Sequence, residues 1–136
     1  MNLGHLHILL ADDDKDESFL FKEALGELQL STSLTNVNDG QLLMQKLFNK
    51  KTRLPDVLFL DLNMPRKNGF ECPHEIKQDE RLKHIKVIIF STSVPEIVAD
   101  LLFESGAHYY VHKPTEFSDL KKVILSGAYF SCARKY

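Results

Sequence analysis

Short apolar runs alternate with longer amphipathic segments along the chain of 136 residues. Val57–Leu60 and Val87–Phe90 are apolar at every position, which is typical of strands in a parallel sheet that helices cover on both faces. Tyr109–His112 is a similar short run, and His5–Ala11 and Leu30–Val37 have the composition of two further strands. The pattern therefore predicts five strands.

Each predicted strand is followed by a segment whose apolar residues recur at helical spacing. The five predicted helices are Lys15–Leu28, Gln41–Asn49, Phe70–Glu80, Pro95–Glu104 and Glu116–Cys132. The first helix should turn one apolar face to the sheet, made of Phe19, Leu20, Ala24, Leu25 and Leu28. Pro73 falls in the first turns of the third helix, so we expect that helix to begin later or to have a distorted first turn.

Five strand–helix units in succession predict an α/β fold of three layers. Crossovers between parallel strands are right-handed, so the helices cover both faces of one sheet. The expected architecture is flavodoxin-like, (βα)5, with the strand order 2-1-3-4-5 and a functional crevice at the carboxyl ends of strands 1 and 3. We expect a single domain over residues 1–136 without an output domain, because four residues follow Cys132.

Composition and charge narrow the classes of function. The formal net charge is −2, and the Lys and Arg residues are scattered, so we expect no nucleic-acid partner. No apolar run approaches the length of a membrane span, and Met1–His7 does not resemble a secretory signal, which favours a cytoplasmic protein. Cys72 and Cys132 lack a CxxC partner and are interpreted as inert, small apolar residues.

Acidic residues follow two strands that should be neighbours in the sheet. Asp12 and Asp13 come after the first strand, and Asp61 comes after the third. Three converging carboxylates repel one another unless a cation or protons compensate. Oxygen ligands without nearby His or Cys favour a hard cation, Mg²⁺ before Ca²⁺. Helix capping is the alternative interpretation, and we prefer it only for Asp14.

A hydroxyl and an ammonium group follow the other two strands. Ser91 comes directly after the fourth strand, and Lys113 directly after the fifth. Facing the carboxylates, they would complete a site for a tetrahedral anion. A salt bridge for Lys113 and an exposed turn hydroxyl for Ser91 are the simpler alternatives. The coincidence of polar residues at four strand ends argues against them.

Four motifs together resemble the receiver domains of two-component response regulators. They are Ile8–Asp14, Leu60–Glu71, Phe90–Ser93 and His112–Pro114, and they occur in the order and spacing of that family across nearly the whole chain. The stretch D-x-x-M-P-x-x-N-G-x-E, which begins at Asp61, is the most specific part.

The resemblance implies a role for each residue at the strand ends. Asp61 would take a phosphoryl group from the phosphohistidine of a sensor histidine kinase or a phosphotransfer protein. Asp13 and Asp61 would bind Mg²⁺ together with a carbonyl of Asn63, and Asp12 would hold a metal-bound water.

Ser91 and Lys113 would contact the phosphoryl oxygens. Tyr110 lies where the family has an aromatic switch that turns inward as Ser91 moves. A buried or interface tyrosine on the sheet edge is the alternative for Tyr110.

A receiver of this size should signal by changed protein contacts or by onward phosphorelay, and should not be an enzyme with a separate substrate. It would be a monomer, or a phosphorylation-linked dimer through the face of the fourth helix, fifth strand and fifth helix. Two alternatives remain. One is a small phosphohydrolase with an aspartate nucleophile, although Asn63 stands where such enzymes carry a second Asp. The other is an interaction module that works without phosphorylation.

Overall fold

A parallel sheet of five strands forms the centre of the molecule. The computed structural model describes residues 4–62, 64, 71–92, 100–101 and 104–133, with side chains to residue 130. The strands are β1 (Leu6–Ala11), β2 (Thr32–Val37), β3 (Val57–Leu60), β4 (Lys86–Ser91) and β5 (Tyr109–His112). They lie in the order β2-β1-β3-β4-β5, and every neighbouring pair is parallel, which confirms the predicted fold class and topology.

Helices connect the strands and cover both faces of the sheet. They are α1 (Lys15–Glu27), α2 (Gly40–Phe48), α3 (Glu71–Gln78) and α4 (Phe117–Ala133), of which α4 is the fifth helix predicted from the sequence. Most of the fourth predicted helix, Pro95–Glu104, lies outside the described residues, but residues 100–101 and 104–105 are helical.

Aspartate side chains begin the first two helices. Asp14 Oδ1 accepts hydrogen bonds from the backbone N–H groups of Asp16, at 2.9 Å, and Glu17, at 3.1 Å. Asp39 Oδ1 accepts one from the N–H of Leu42 at 2.7 Å. These bonds satisfy donors that have no partner within a helix. The predicted capping role of Asp14 is confirmed.

Alternating strand residues form one apolar layer on each face of the sheet. Leu58, Leu60 and Ile89 point toward α2 and α3, where they pack in a cluster with Leu43 and Ile76. On the opposite face of the sheet, the alternate apolar residues of the strands pack against α1 and α4. At the centre of this second cluster the rings of Phe21, Phe59 and Phe90 meet edge to face, with centroids 5.1–5.9 Å apart. Because both faces are covered, the central strands are apolar throughout.

The apolar face of α1 was predicted wrongly in two of its positions. Phe19 is 60% exposed and Leu20 is 48% exposed, whereas Phe21 is buried. The buried residues Phe21, Ala24 and Leu25 follow the spacing i, i+3, i+4, which the half-buried Leu28 continues at i+7. Three adjacent apolar residues fit two different stripes, and contact with Phe59 selects the one that contains Phe21.

Pro73 is accommodated at the start of α3. It is the third residue of the described helix and is buried. The first four N–H groups of a helix have no internal partner, so a proline there removes no hydrogen bond. The expected delay of the helix is therefore wrong, since α3 already includes Glu71. Cys72 beside it is buried among apolar residues, as predicted, and its thiol forms no disulfide within the described part of the chain. Among the described residues, no helix combines the length and apolar composition needed to cross a bilayer.

Candidate functional site

Backbone hydrogen bonds extend the strand ladders by one residue and fix the site at the carboxyl end of the sheet. The N–H of Asp12 donates to Val37 O at 3.0 Å, and the N–H of Asp61 donates to Ala11 O at 2.9 Å. On the other side, the N–H of Lys113 donates to Ser91 O at 2.8 Å. The sheet itself therefore positions the backbone of all three residues that follow β1, β3 and β5.

Three carboxyl groups converge at this edge. One oxygen each from Asp12, Asp13 and Asp61 lies within 4.8 Å of the other two. Asp12 is 2% exposed and Asp61 is 6% exposed, whereas Asp13 is open to solvent. Asp12 Oδ1 accepts a hydrogen bond from the N–H of Asp14 at 3.0 Å. Oxygen donors at this spacing, with one of them facing solvent, fit a hard divalent cation that retains water ligands.

Lys113 supplies positive charge to the cluster. Its Nζ donates to Asp12 Oδ2 at 2.9 Å and also bonds Glu17, while Asp61 Oδ2 lies 3.7 Å away, beyond hydrogen-bonding distance. The residue is 8% exposed, and its ammonium group lies 5.6 Å from the ring centroid of Phe90. Lys113 thus contacts two acidic side chains, Asp12 and Glu17, and lies next to a third, Asp61.

The pKa values of the ion pair follow from burial and from mutual attraction. Burial by itself would lower the pKa of Lys113, but the hydrogen bonds that it donates to Glu17 and Asp12 and the charge of Asp61 raise it above the ordinary lysine value. For Glu17, burial raises the pKa of the carboxyl group, Lys113 opposes this, and the neighbouring Asp12 adds to it.

Ser91 carries a buried hydroxyl group without a hydrogen-bond partner among the described residues. The residue is fully buried at the end of β4, where its Cα pairs with His112. A buried hydroxyl of this kind costs free energy unless something bonds it. Its position beside the carboxyl cluster suits an oxygen-bearing ligand, which is an independent sign that the edge receives one.

Of the two remaining predicted site residues, Tyr110 and Asn63, the structure describes Tyr110. Tyr110 is half-buried and packs against the core cluster on the α2–α3 face of the sheet, the same face toward which Ile89 points. Asn63, the predicted carbonyl ligand, lies outside the described residues.

Sequence reasoning missed Glu17. The residue lies three positions after the cap Asp14, in the first turn of α1, and its carboxylate pairs with Lys113. The signal was available, because the first turn of a helix that follows β1 must sit at the carboxyl end of the sheet.

The fold thus places a carboxylate cluster, a lysine and a buried serine at one edge of the sheet, at the ends of neighbouring strands. The response regulator receiver domain matches residues 8–125, and the chain belongs to that family. The predicted resemblance is confirmed.

Named relatives agree with this assignment. Response regulator Rcp1 from Synechocystis sp. is 33% identical over 121 residues, which cover 86% of this chain and 82% of Rcp1. The solved structure of the phosphorylated cyanobacterial phytochrome response regulator RcpA superposes with a TM-score of 0.86 at 30% identity, over 98% of both chains. The Mn²⁺-bound form of Rcp1 gives a TM-score of 0.82 at 31% identity, over 93% of this chain and 94% of that one.

Replacing Lys113 tests the electrostatics of the cluster. Lys113→Gln should lower the free energy of unfolding by about 1–3 kcal/mol in metal-free buffer, because Asp12 and Asp61 stay buried without their cation. The control Lys121→Gln removes a more exposed pair with Glu27, at 3.2 Å, and should cost below about 1 kcal/mol. Urea unfolding followed by circular dichroism measures both.

The pH dependence of that loss follows from the raised pKa of Lys113. The ammonium group stabilises the fold at every pH below the ordinary lysine pKa, and this contribution disappears as the pH rises through the folded value. The difference between wild type and Lys113→Gln should therefore be constant near neutral pH and shrink only in strongly alkaline buffer. Equal stability of the two proteins at neutral pH would contradict the account.

Proposed function

We propose that this receiver accepts a phosphoryl group on Asp61 from a phosphohistidine donor, in a reaction that depends on Mg²⁺. The observation that carries the proposal is that Asp61 Oδ2 lies 3.7 Å from Lys113 Nζ, at the edge where the neighbouring strand β4 ends in Ser91, whose buried hydroxyl has no partner among the described residues. A metal-binding site alone would account for the carboxylates but not for the buried lysine and serine.

The chemistry is a transfer between two nucleophiles. A carboxylate oxygen of Asp61 attacks phosphorus, the P–N bond to the donor imidazole breaks, and its electron pair returns to the ring nitrogen. Lys113 balances negative charge on the phosphoryl oxygens, and the Ser91 hydroxyl donates a hydrogen bond to one of them.

Mg²⁺ would be held by Asp13 and Asp61, with a carbonyl of Asn63 and with Asp12 acting through water. The cation offsets the repulsion between an anionic nucleophile and an anionic donor. Support comes from the carboxyl oxygens within 4.8 Å of one another and from the Mn²⁺-bound form of the relative Rcp1.

Phosphorylation would act as a switch between two states of the whole domain, which we take to be residues 1–136. Ser91 would move toward the phosphoryl group, and Tyr110 would change its packing on the sheet face. The output would be an altered protein contact or onward phosphorelay. In keeping with the family, the chain would be a signalling switch and not an enzyme with turnover.

A groove beside the edge strand is the candidate contact surface. It lies between β5 and α4, with a volume of about 560 Å³. Tyr109 on the strand and Tyr129 on the helix are 49% and 42% exposed at its rim. Part of the face predicted for phosphorylation-linked dimers is therefore apolar and open, which supports a monomer that pairs when activated.

The donor to test first is a phytochrome-type histidine kinase. The relative RcpA is described as a phytochrome response regulator, and it matches over 98% of both chains. Phosphotransfer from a panel of kinases would identify the cognate donor.

Replacing the acceptor tests the reaction. With acetyl phosphate and Mg²⁺, intact-protein mass spectrometry should show the gain of one phosphoryl group on wild type and none on Asp61→Asn. Asp39→Asn is the matched control, because Asp39 is a buried carboxylate that caps α2, a role that Asn also performs. Equal labelling of Asp61→Asn would defeat the assignment, and sustained turnover of small phosphate esters would favour a hydrolase.

Ser91→Ala separates stability from ligand binding. Removing a buried hydroxyl without a partner should leave the free energy of unfolding unchanged or raise it by up to about 1 kcal/mol. The same variant should bind beryllofluoride, a tetrahedral phosphoryl analogue, about tenfold more weakly, since one charge-assisted hydrogen bond is lost. Urea unfolding and ¹⁹F NMR give the two readouts. Unchanged beryllofluoride affinity would contradict the role given to Ser91.

A further inference from the structure

Glu17 is a charged group at the site that phosphoryl acceptance does not require. It lies in the first turn of α1 and bonds the ammonium group of Lys113 directly, although the two residues are 96 positions apart. Its side chain is 34% exposed, whereas the other partner of Lys113, Asp12, has a side chain that is 1% exposed. The pair therefore joins a half-exposed carboxylate to a buried cation at the centre of the site.

The ammonium group of Lys113 is hydrogen-bonded to Glu17 and not to Asp61. Lys113 Nζ bonds Glu17 and Asp12, but its distance to Asp61 Oδ2 is 3.7 Å. An ammonium group that is drawn toward α1 in this way is less available to a group attached to Asp61.

A plain surface ion pair does not account for this arrangement. Exposed pairs contribute little to stability, and a lysine that served only to neutralise Asp12 and Asp61 would have no need of a third carboxylate. The additional charge also raises the repulsion within a cluster that already contains Asp12, Asp13 and Asp61. The effect of Glu17 should therefore appear in the affinities of the site for cations and for anions.

We propose that Glu17 is a positioning residue that competes with the phosphoryl group for Lys113, and so sets the balance between metal binding and phosphoryl binding at this site. The inference rests on the proposed function. A negative charge at Glu17 attracts a divalent cation to the cluster and disfavours a phosphoryl group, whose charge has the opposite sign. The two affinities should consequently respond to Glu17 in opposite directions.

Glu17→Gln tests this, because it removes the charge and keeps the size of the side chain. By isothermal titration calorimetry, the affinity for Mg²⁺ alone should fall by about threefold to tenfold. At saturating Mg²⁺, the affinity for beryllofluoride measured by ¹⁹F NMR should rise by a similar factor. Opposite shifts cannot come from general damage to the fold, which would weaken both ligands.

Two matched variants complete the design. Asp16→Asn removes an equal charge from an exposed position in the same turn, roughly 100° round the helix axis, and should change both affinities by less than about twofold. Glu17→Asp keeps the charge and should return the Mg²⁺ affinity toward that of the wild type.

The outcomes distinguish this inference from the proposed function. If wild type binds beryllofluoride but Glu17→Gln weakens both ligands, or changes neither, competition by Glu17 is overturned while phosphoryl acceptance stands. If wild type does not bind beryllofluoride in the presence of Mg²⁺, the proposed function fails, and the inference fails with it.

Discussion

Crowding of negative charge at one edge of the sheet is the constraint on which the rest of the site depends. Asp12 and Asp61 are almost fully buried within reach of Asp13, and burial makes their mutual repulsion stronger than it would be in water. Lys113 offsets part of this charge, and its raised pKa reflects that attraction. The remaining excess of negative charge favours a divalent cation at this edge.

The fold produces this crowding by topology alone. Parallel strands end at the same edge. The strand order switches there, because β2 lies on one side of β1 and β3 on the other, and this switch opens a crevice. Ladder hydrogen bonds hold the backbone of Asp12, Asp61 and Lys113, so the apolar sheet keeps the two mutually repelling carboxylates close together and places the lysine next to them. The stability of the two core layers thus offsets the free-energy cost of this crowded charge.

Sequence reasoning succeeded where one local rule dominated. The bounds of β3 and β5 were predicted to the residue, and the capping role of Asp14 followed from its position at the start of a helix. It failed where several patterns fitted equally well. Phe19 and Phe21 fit two different apolar faces of the helix, and the ring contact of Phe21 with a residue of β3 decides which of them is buried. For Glu17 and Lys113 the topology places both residues at the carboxyl edge, but which carboxylates the lysine contacts depends on tertiary distances that the sequence pattern does not give.

Diffraction from crystals soaked in Mn²⁺ tests the central claim most directly, since the anomalous signal of the ion shows where the excess negative charge is compensated. The account predicts one strong anomalous peak between the carboxylates of Asp13 and Asp61, with Lys113 Nζ and Ser91 Oγ facing the open side of the ion. A peak elsewhere on the molecule, or none at this edge with the carboxylates too far apart to share an ion, would contradict it.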